Sequence, residues 1–204
     1  LGHLQLIDSA LGGAVAAKLG MEGQHEAIKP ARRILDMDVS PALSIIKTMI
    51  PTIKGRKIGI LVSDGVDAES VNRLVRLAKK DGASAEIVAA RIGGGKPAHA
   101  KLPPDHALAA APSVLFDAVI LAIADPDSGQ LLEQAAAVDW VRDAFGHLKV
   151  IGYNAAALPL LAKAGLEGDE DEGLVEITNA RSAQQFFAVM KKQRIWSREA
   201  TVRP

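Results

Sequence analysis

Apolar residues at the start of the chain recur every three or four positions. Leu4, Ile7, Leu11, Ala14 and Val15 share one helical face, and Gly20 after Leu19 is a stop signal. This spacing predicts an amphipathic helix over residues 1–19. Residues 20–56 lose the period: they contain Pro30, Pro41 and Pro51 and one apolar stretch, Ala42 to Ile46. Ser40 before Pro41 reads as a helix start, with the hydroxyl as cap and proline in the first turn. The segment is expected to be a linker holding one short helix.

From residue 57 strand and helix patterns alternate. Lys57 to Val62 reads as a buried strand and Ser63-Asp64-Gly65 as a turn. Ala68, Val71, Leu74, Val75 and Ala78 form the stripe of a helix closed by Asp81-Gly82. A second strand, Ala85 to Ala89, completes a parallel crossover unit. Arg91 to Pro112 is loop-rich. Then come a strand at Ala118 to Ile123 and one long helix with Leu131, Ala135, Val138, Val141 and Phe145 on a face. A short strand (Lys149 to Gly152), a helix (Ala155 to Ala164) and a strand (Leu174 to Ile177) follow. Ala183, Phe186, Phe187 and Met190 stripe a final helix. The alternation predicts an α/β doubly wound sandwich with a mainly parallel sheet over 57–204. No repeat with a period of 20–50 residues is visible.

Composition narrows the function classes. Hydrophobic residues are 49% of the 204 and aromatics only 3%, so the core must be aliphatic and base-stacking platforms are scarce. Lys+Arg and Asp+Glu both number 24, so no polyanion partner is implied and nucleic-acid binding is not expected. The basic run Lys191, Lys192, Arg194 and Arg198 reads as a solvated last helical turn. The absence of cysteine excludes disulfides, thiolate metal sites and cysteine nucleophiles. No apolar run approaches the ~20 residues that span a bilayer, so no membrane partner is expected. The opening Leu1-Gly2-His3-Leu4 is neither an initiator Met nor a signal peptide and reads as a piece of a longer chain. Thr201-Val202-Arg203-Pro204 is not a peroxisomal address, although a cytoplasmic or a peroxisomal setting would suit a cysteine-free chain.

Several motifs invite a chemical reading. Gly94-Gly95-Lys96 lacks the rest of a phosphate loop, since Ala90 and Pro97 stand where Gly and Ser or Thr belong; it reads as a surface loop after Gly93. The turn Ser63 to Asp67 carries two carboxylates where a dinucleotide fingerprint would carry glycines. His99 and His106 read as exposed loop residues, and His3, His25 and His147 have no evident partners, so no metal site is expected. Asp169-Glu170-Asp171-Glu172 lacks the alternation of a calcium loop and reads as a solvated turn. Gly152-Tyr153-Asn154-Ala155-Ala156 runs from strand into helix between small residues, the shape of a nucleophile elbow, but Asn154 is not a nucleophile. Glu69 lies in the first turn after strand one, where the helix dipole favours a carboxylate with or without a catalytic role.

This layout resembles the class I glutamine amidotransferase-like superfamily, including PfpI-like proteases and their chaperone relatives. The resemblance implies a flavodoxin-like fold and a site built from an acidic residue, a glycine pair, a cysteine at the elbow and a histidine. Glu69 matches the acidic position. Asn154 stands for the cysteine, Ile123-Ala124 for the glycine pair of the oxyanion hole, and Gly165 to Gly173 carries no histidine. A narrower resemblance rests on four phrases: Ser40 to Ser44, Ile53 to Ala68, Phe116 to Val119, and His147 to Asn154. In order and spacing these are similar to the C-terminal region of large-subunit catalases of fungi and bacteria. It implies that residues 1–19 are the last helix of the catalase helical region, 20–56 a linker, and 57–204 the appended domain. Haem of that family is held by tyrosine in an Arg-x-x-x-Tyr segment. Here Lys149 precedes Tyr153 by four, so haem is expected in the parent and no cofactor in this chain.

The resemblance implies a non-catalytic module that packs on the core of a homotetrameric catalase and slows its unfolding. Excision would uncover apolar surface. Leu4, Ile7, Leu11, Ile45, Ile46, Met49 and Ile50 are the candidates for facing the core or unfolded client proteins, a chaperone-like activity. A relict hydrolase would have to use Glu69 with Asn154 or Ser63. A small-molecule site at the C-terminal edge of the sheet stays open.

Overall fold

A computed structural model of the chain describes every residue except 24, 25, 34, 93–101, 125–127, 167, 169, 170, 203 and 204. Gly93 to Pro97, His99, His25, Asp169 and Glu170 therefore lie outside the described residues. The chain forms two compact units, Leu1–Met49 and Ile50–Pro204.

In the first unit, the expected single helix is two helices, α1 (Gly2–Ile7) and α2 (Ser9–Lys18). Asp8 between them is extended, with φ −156° and ψ 121°, and its carboxylate accepts hydrogen bonds from the amides of Ala10 and Leu11. An aspartate cap restarts the helix, a signal that the apolar spacing masked. The buried face also differs. Gly12 and Ala16 are inside, whereas Ile7 and Leu11 face outward. A Cβ on Gly12 would lie 2.8 Å from the Gln5 side chain, so close approach of α1 and α2 requires glycine there. Further on, a 3-10 turn (Pro41–Leu43) precedes α3 (Ile45–Thr48). Pro41 holds the first position of the turn, but Ser40 makes no cap bond. Ser44 does, accepting from the amide of Lys47 at 3.4 Å.

The second unit contains β1 (Lys57–Val62), α4 (Ala68–Lys80), β2 (Ser84–Ala89), β3 (His106–Ala107), β4 (Ala118–Ala122), α5 (Ser128–Leu132), α6 (Ala135–Gly146), β5 (Ile151–Tyr153), α7 (Leu158–Lys163), β6 (Leu174–Glu176), α8 (Ala180–Met190) and α9 (Glu199–Val202). The six strands form one all-parallel sheet in the order β3-β2-β1-β4-β5-β6. With the two-residue edge strand β3 set aside, this is the strand order of a flavodoxin-like sandwich.

Alternation along the strands sorts side chains to two faces. Ile58, Ile60 and Val62 of β1 and Ile120 and Ala122 of β4 cluster with Val71, Leu74 and Ala78 of α4 and Phe186, Phe187 and Met190 of α8. On the other face Leu61, Val119 and Leu121 cluster with Trp140, Val141 and Phe145 of α6 and Leu160 and Leu161 of α7. The compact unit reaches back to Ile50, because Ile53 is buried in the first of these clusters. The one long helix expected after β4 is α5 and α6, separated at Glu133-Gln134. Lys149 lies ahead of β5 rather than in it. The loop-rich stretch contains β3, so His106 is not an exposed loop residue. It is half-buried, its Nε2 lies 2.8 Å from the Glu86 carboxylate, and its ring tilts against Phe116.

Candidate functional site

The C-terminal ends of β1, β4 and β5 meet where the strand order reverses, the position at which open α/β sheets bind ligands. Gly65, in a left-handed conformation (φ 84°), turns the chain after β1. Asp67 then caps α4, accepting from the amides of Glu69 and Ser70 and from the Ser70 hydroxyl. The Ser70 hydroxyl, then the two amides, hold its carboxyl below the usual carboxylate value. Across the sheet edge, Asn179 caps α8, and Ser182 returns a bond to the Asn179 amide in a reciprocal box. Between the two helix starts lies a cleft of about 360 Å³. It is lined from the β1–α4 turn, the end of β4, Asn154, and the β6–α8 turn with the start of α8.

Asn154 does not project into this cleft as a displayed reactive group. Its backbone is extended (φ −102°, ψ 165°), not the strained turn of a nucleophile elbow. Its side-chain amide makes a pair of hydrogen bonds with one residue: Nδ2 donates to the Ile123 carbonyl at 2.7 Å, and Oδ1 accepts from the Ile123 amide at 3.1 Å. The next amide, of Ala124, donates to the Ser63 hydroxyl at 2.7 Å. The backbone N–H groups of Ile123 and Ala124, the positions expected to stand for the glycine pair, are therefore already committed to side chains of this chain. A developing oxyanion needs such donors free and aimed at it.

The remaining predicted residues sit apart. Glu69 is exposed on α4 and its Oε1 pairs with Arg76 Nη2 at 2.5 Å; it contributes nothing to the cleft lining. Tyr153 is half-buried on β5 and packs against the cluster under α6 and α7. Ile123 is buried and Ala124 half-buried at the end of β4. Among the described residues no group of three or more His, Asp and Glu side chains is placed to hold a metal, and no helix is long and apolar enough to cross a membrane.

Sequence reasoning missed the polar centre at the opposite end of the sheet. Arg198 is not in a solvated turn: it is 2% exposed, and its Nε and Nη2 grip both oxygens of Asp171 at 2.5 and 2.7 Å. Its Nη1 donates to the carbonyl of Lys149, and the guanidinium lies 4.0 Å over the Phe145 ring. Asp171 is thus a half-buried partner rather than a member of a solvated acidic turn. Arg194 is half-buried and donates to the Asp117 carbonyl. Lys192 pairs with Glu172. Lys149 is also 2% exposed and donates to the Ser113 carbonyl at 2.6 Å. Burial, then the nearby charge of Arg194, pushes its amine down to about 8. The one available sequence signal was the apolar pair Ile195-Trp196 interrupting the basic run. His147, expected to lack a partner, has Nδ1 2.6 Å from the Asp143 carbonyl.

Comparison with known proteins fits this architecture. Residues 54–200 match the family model of the C-terminal domain found in long catalases. The chain is 41% identical over 206 residues to Catalase C of Rhizobium meliloti (strain 1021), covering 98% of this chain and 29% of that protein. It is 32% identical over 219 residues to Catalase HPII of Mycobacterium avium, covering 99% and 30% respectively. With Catalase-B of Dictyostelium discoideum it shares 28% identity over 203 residues, covering 96% and 28%. The chain spans less than a third of the length of each of these relatives. Their similarity runs through both units, and with a match over residues 54–200 the chain belongs to the family of C-terminal domains of long catalases.

Proposed function

We propose that this chain is the non-catalytic C-terminal domain of a haem catalase that decomposes hydrogen peroxide. In this reading it stabilises the parent homotetramer by packing on the catalytic core, and freed from that core it binds unfolded proteins in a chaperone-like manner. The single observation that carries the binding part is a run of exposed apolar side chains late in the first unit and at the start of the second. Leu43, Ile45, Ile46 and Ile50 are 83%, 67%, 57% and 72% exposed. Leu35, Met37 and Val39 are exposed before them, as are Ile7 and Leu11, while Leu4 and Met49 are half-buried. Soluble proteins rarely leave such a run uncovered unless another surface meets it.

The non-catalytic part is supported by the sheet edge. A hydrolase would need Glu69 near an activated nucleophile and free oxyanion donors. Here Glu69 faces Arg76, and Asn154 and Ser63 occupy the two amides. The residues at the Arg-x-x-x-Tyr spacing do not fit haem either. Lys149 holds the Ser113 carbonyl and Tyr153 packs into the core of the sandwich, so neither is placed as part of a haem-ligating pair. Haem therefore belongs to the parent's other regions.

Two measurements test the reading. Light scattering from a heat-labile client enzyme, warmed with this chain, should fall at near-stoichiometric ratio, and an inert protein of similar size should have no effect. Curves that match the control reject the binding activity. Separately, a parent catalase lacking this domain should lose peroxide turnover faster at elevated temperature, and an unchanged half-life rejects the stabilising role.

A further inference from the structure

We propose that the cleft between the starts of α4 and α8 is a binding site for a small apolar carboxylate, its hydrocarbon on Leu74 and Ile177 and its charge toward Arg73. The inference is independent of the stabilising and chaperone-like roles. The floor is hydrocarbon: Val71 and Leu74 of α4, Ala183 of α8 and Ile177 line it, with Ala122 and Ala124 at the end of β4. A volume of about 360 Å³ lies at the small end of ligand pockets, which combine an apolar lining with a few placed polar groups.

The polar groups differ in what they have left to offer. Asn154 is committed to Ile123, and Thr178 and Asn179 are engaged in the α8 cap. Asp67 is charged, but its oxygens accept three bonds from the first turn of α4. Arg73 lines the same cleft one turn further along α4. It has no hydrogen-bond or ion-pair partner among the described residues and senses Asp67 only as a neighbouring charge. An exposed guanidinium at the rim of an apolar pocket favours an anion, and its planar fork suits a carboxylate. The positive end of α8, capped by the neutral Asn179, adds to the same preference. The amides of Ile123 and Ala124 are committed elsewhere and take no part.

The test uses three probes of one shape on the 204-residue chain: phenylacetate, 2-phenylethanol and 2-phenylethylamine, titrated by amide chemical-shift perturbation. Phenylacetate should shift the amides of Gly65 to Leu74 and Ile177 to Ala183, and bind at least fivefold more tightly than the alcohol. Arg73→Gln should bring phenylacetate down to the affinity of the alcohol. Ala124→Leu, which fills the cleft, should abolish binding of both. Shifts scattered over other surfaces, no saturable shift, or an amine or alcohol that binds as tightly as the acid each overturn the proposal. The comparison of acid with alcohol on the unchanged chain decides it even if a variant fails to fold.

Discussion

Arg198 and Asp171 show how one late residue can close a domain. The guanidinium is inside, and a carboxylate, a backbone carbonyl and an aromatic face satisfy it. Burial alone would raise the Asp171 carboxyl, but the Arg198 bond and charge and the amides of Gly173 and Leu174 hold it below the ordinary value. The pair's contribution is therefore complete above about pH 4 and falls away as pH drops through the lower folded-state value. Arg198→Ala leaves Asp171 without its counter-charge, and urea unfolding at pH 7 should show a loss of about 3 kcal/mol. The same variant should unfold with a shallower acid dependence. Lys149 works in the opposite direction. Its amine is pushed down to about 8 in the folded chain, against about 10.4 in an unfolded one. Between those values the unfolded state holds a proton that the folded state lacks, so stability should rise with pH. The thermal midpoint is expected to climb between pH 7.5 and 9.5, and Lys149→Met should flatten that climb.

At the scale of elements, the sheet is tuned by glycines that admit rings. A Cβ on Gly59, in the middle of β1, would lie 2.6 Å from the Phe116 ring. On β5, a Cβ on Gly152 would meet Ile177 at 2.7 Å and Phe186 at 3.0 Å. The Phe116 ring lies over β1, and Ile177 and the Phe186 ring of α8 lie over β5, at distances that leave no room for a methyl group. Gly59→Ala should cost about 2 kcal/mol in chemical denaturation, despite the better strand propensity of alanine, because overpacking outweighs the entropy saved. An unchanged midpoint would mean that Phe116 can swing aside. Caps set some of the helix starts. Asp8, Asp67 and Asn179 each turn an extended residue into a helix start. Of these, the cap at Asp8 escaped the apolar spacing, because Leu4, Ile7 and Leu11 keep a helical period straight across the break.

For the whole molecule, the two units differ in how they treat apolar residues. The sandwich buries its aliphatic residues on both faces of one sheet. The first unit leaves most of its large apolar side chains in water. Replacing Leu43, Ile45, Ile46 and Ile50 together by Gln should cut the binding of a dye for exposed apolar surface and the suppression of client scattering. The thermal midpoint of the sandwich should stay within a degree or two, since exposed side chains contribute little to its core. A variant that holds clients as well as before would move the client surface elsewhere on the chain.

The sequence by itself determined the class of this fold. Strand and helix periods from Lys57 onward, and turn signals such as Asp81-Gly82, are local consequences of backbone geometry, so they read directly. The family resemblance was legible for the same reason: it lies in contiguous phrases such as Ile53 to Ala68. Only the tertiary structure decided which polar groups were free. Asn154 is thirty-one residues from Ile123, and Ser63 is sixty-one from Ala124. Nothing local says that their side chains consume the amides of Ile123 and Ala124. Arg198 looked solvated because charge in a run is usually solvated. It became a core residue because Asp171 and Phe145, far away in the chain, converge on it. Hydrogen-bond partnership at long separation is a property of packing, and packing is settled when the sheet closes.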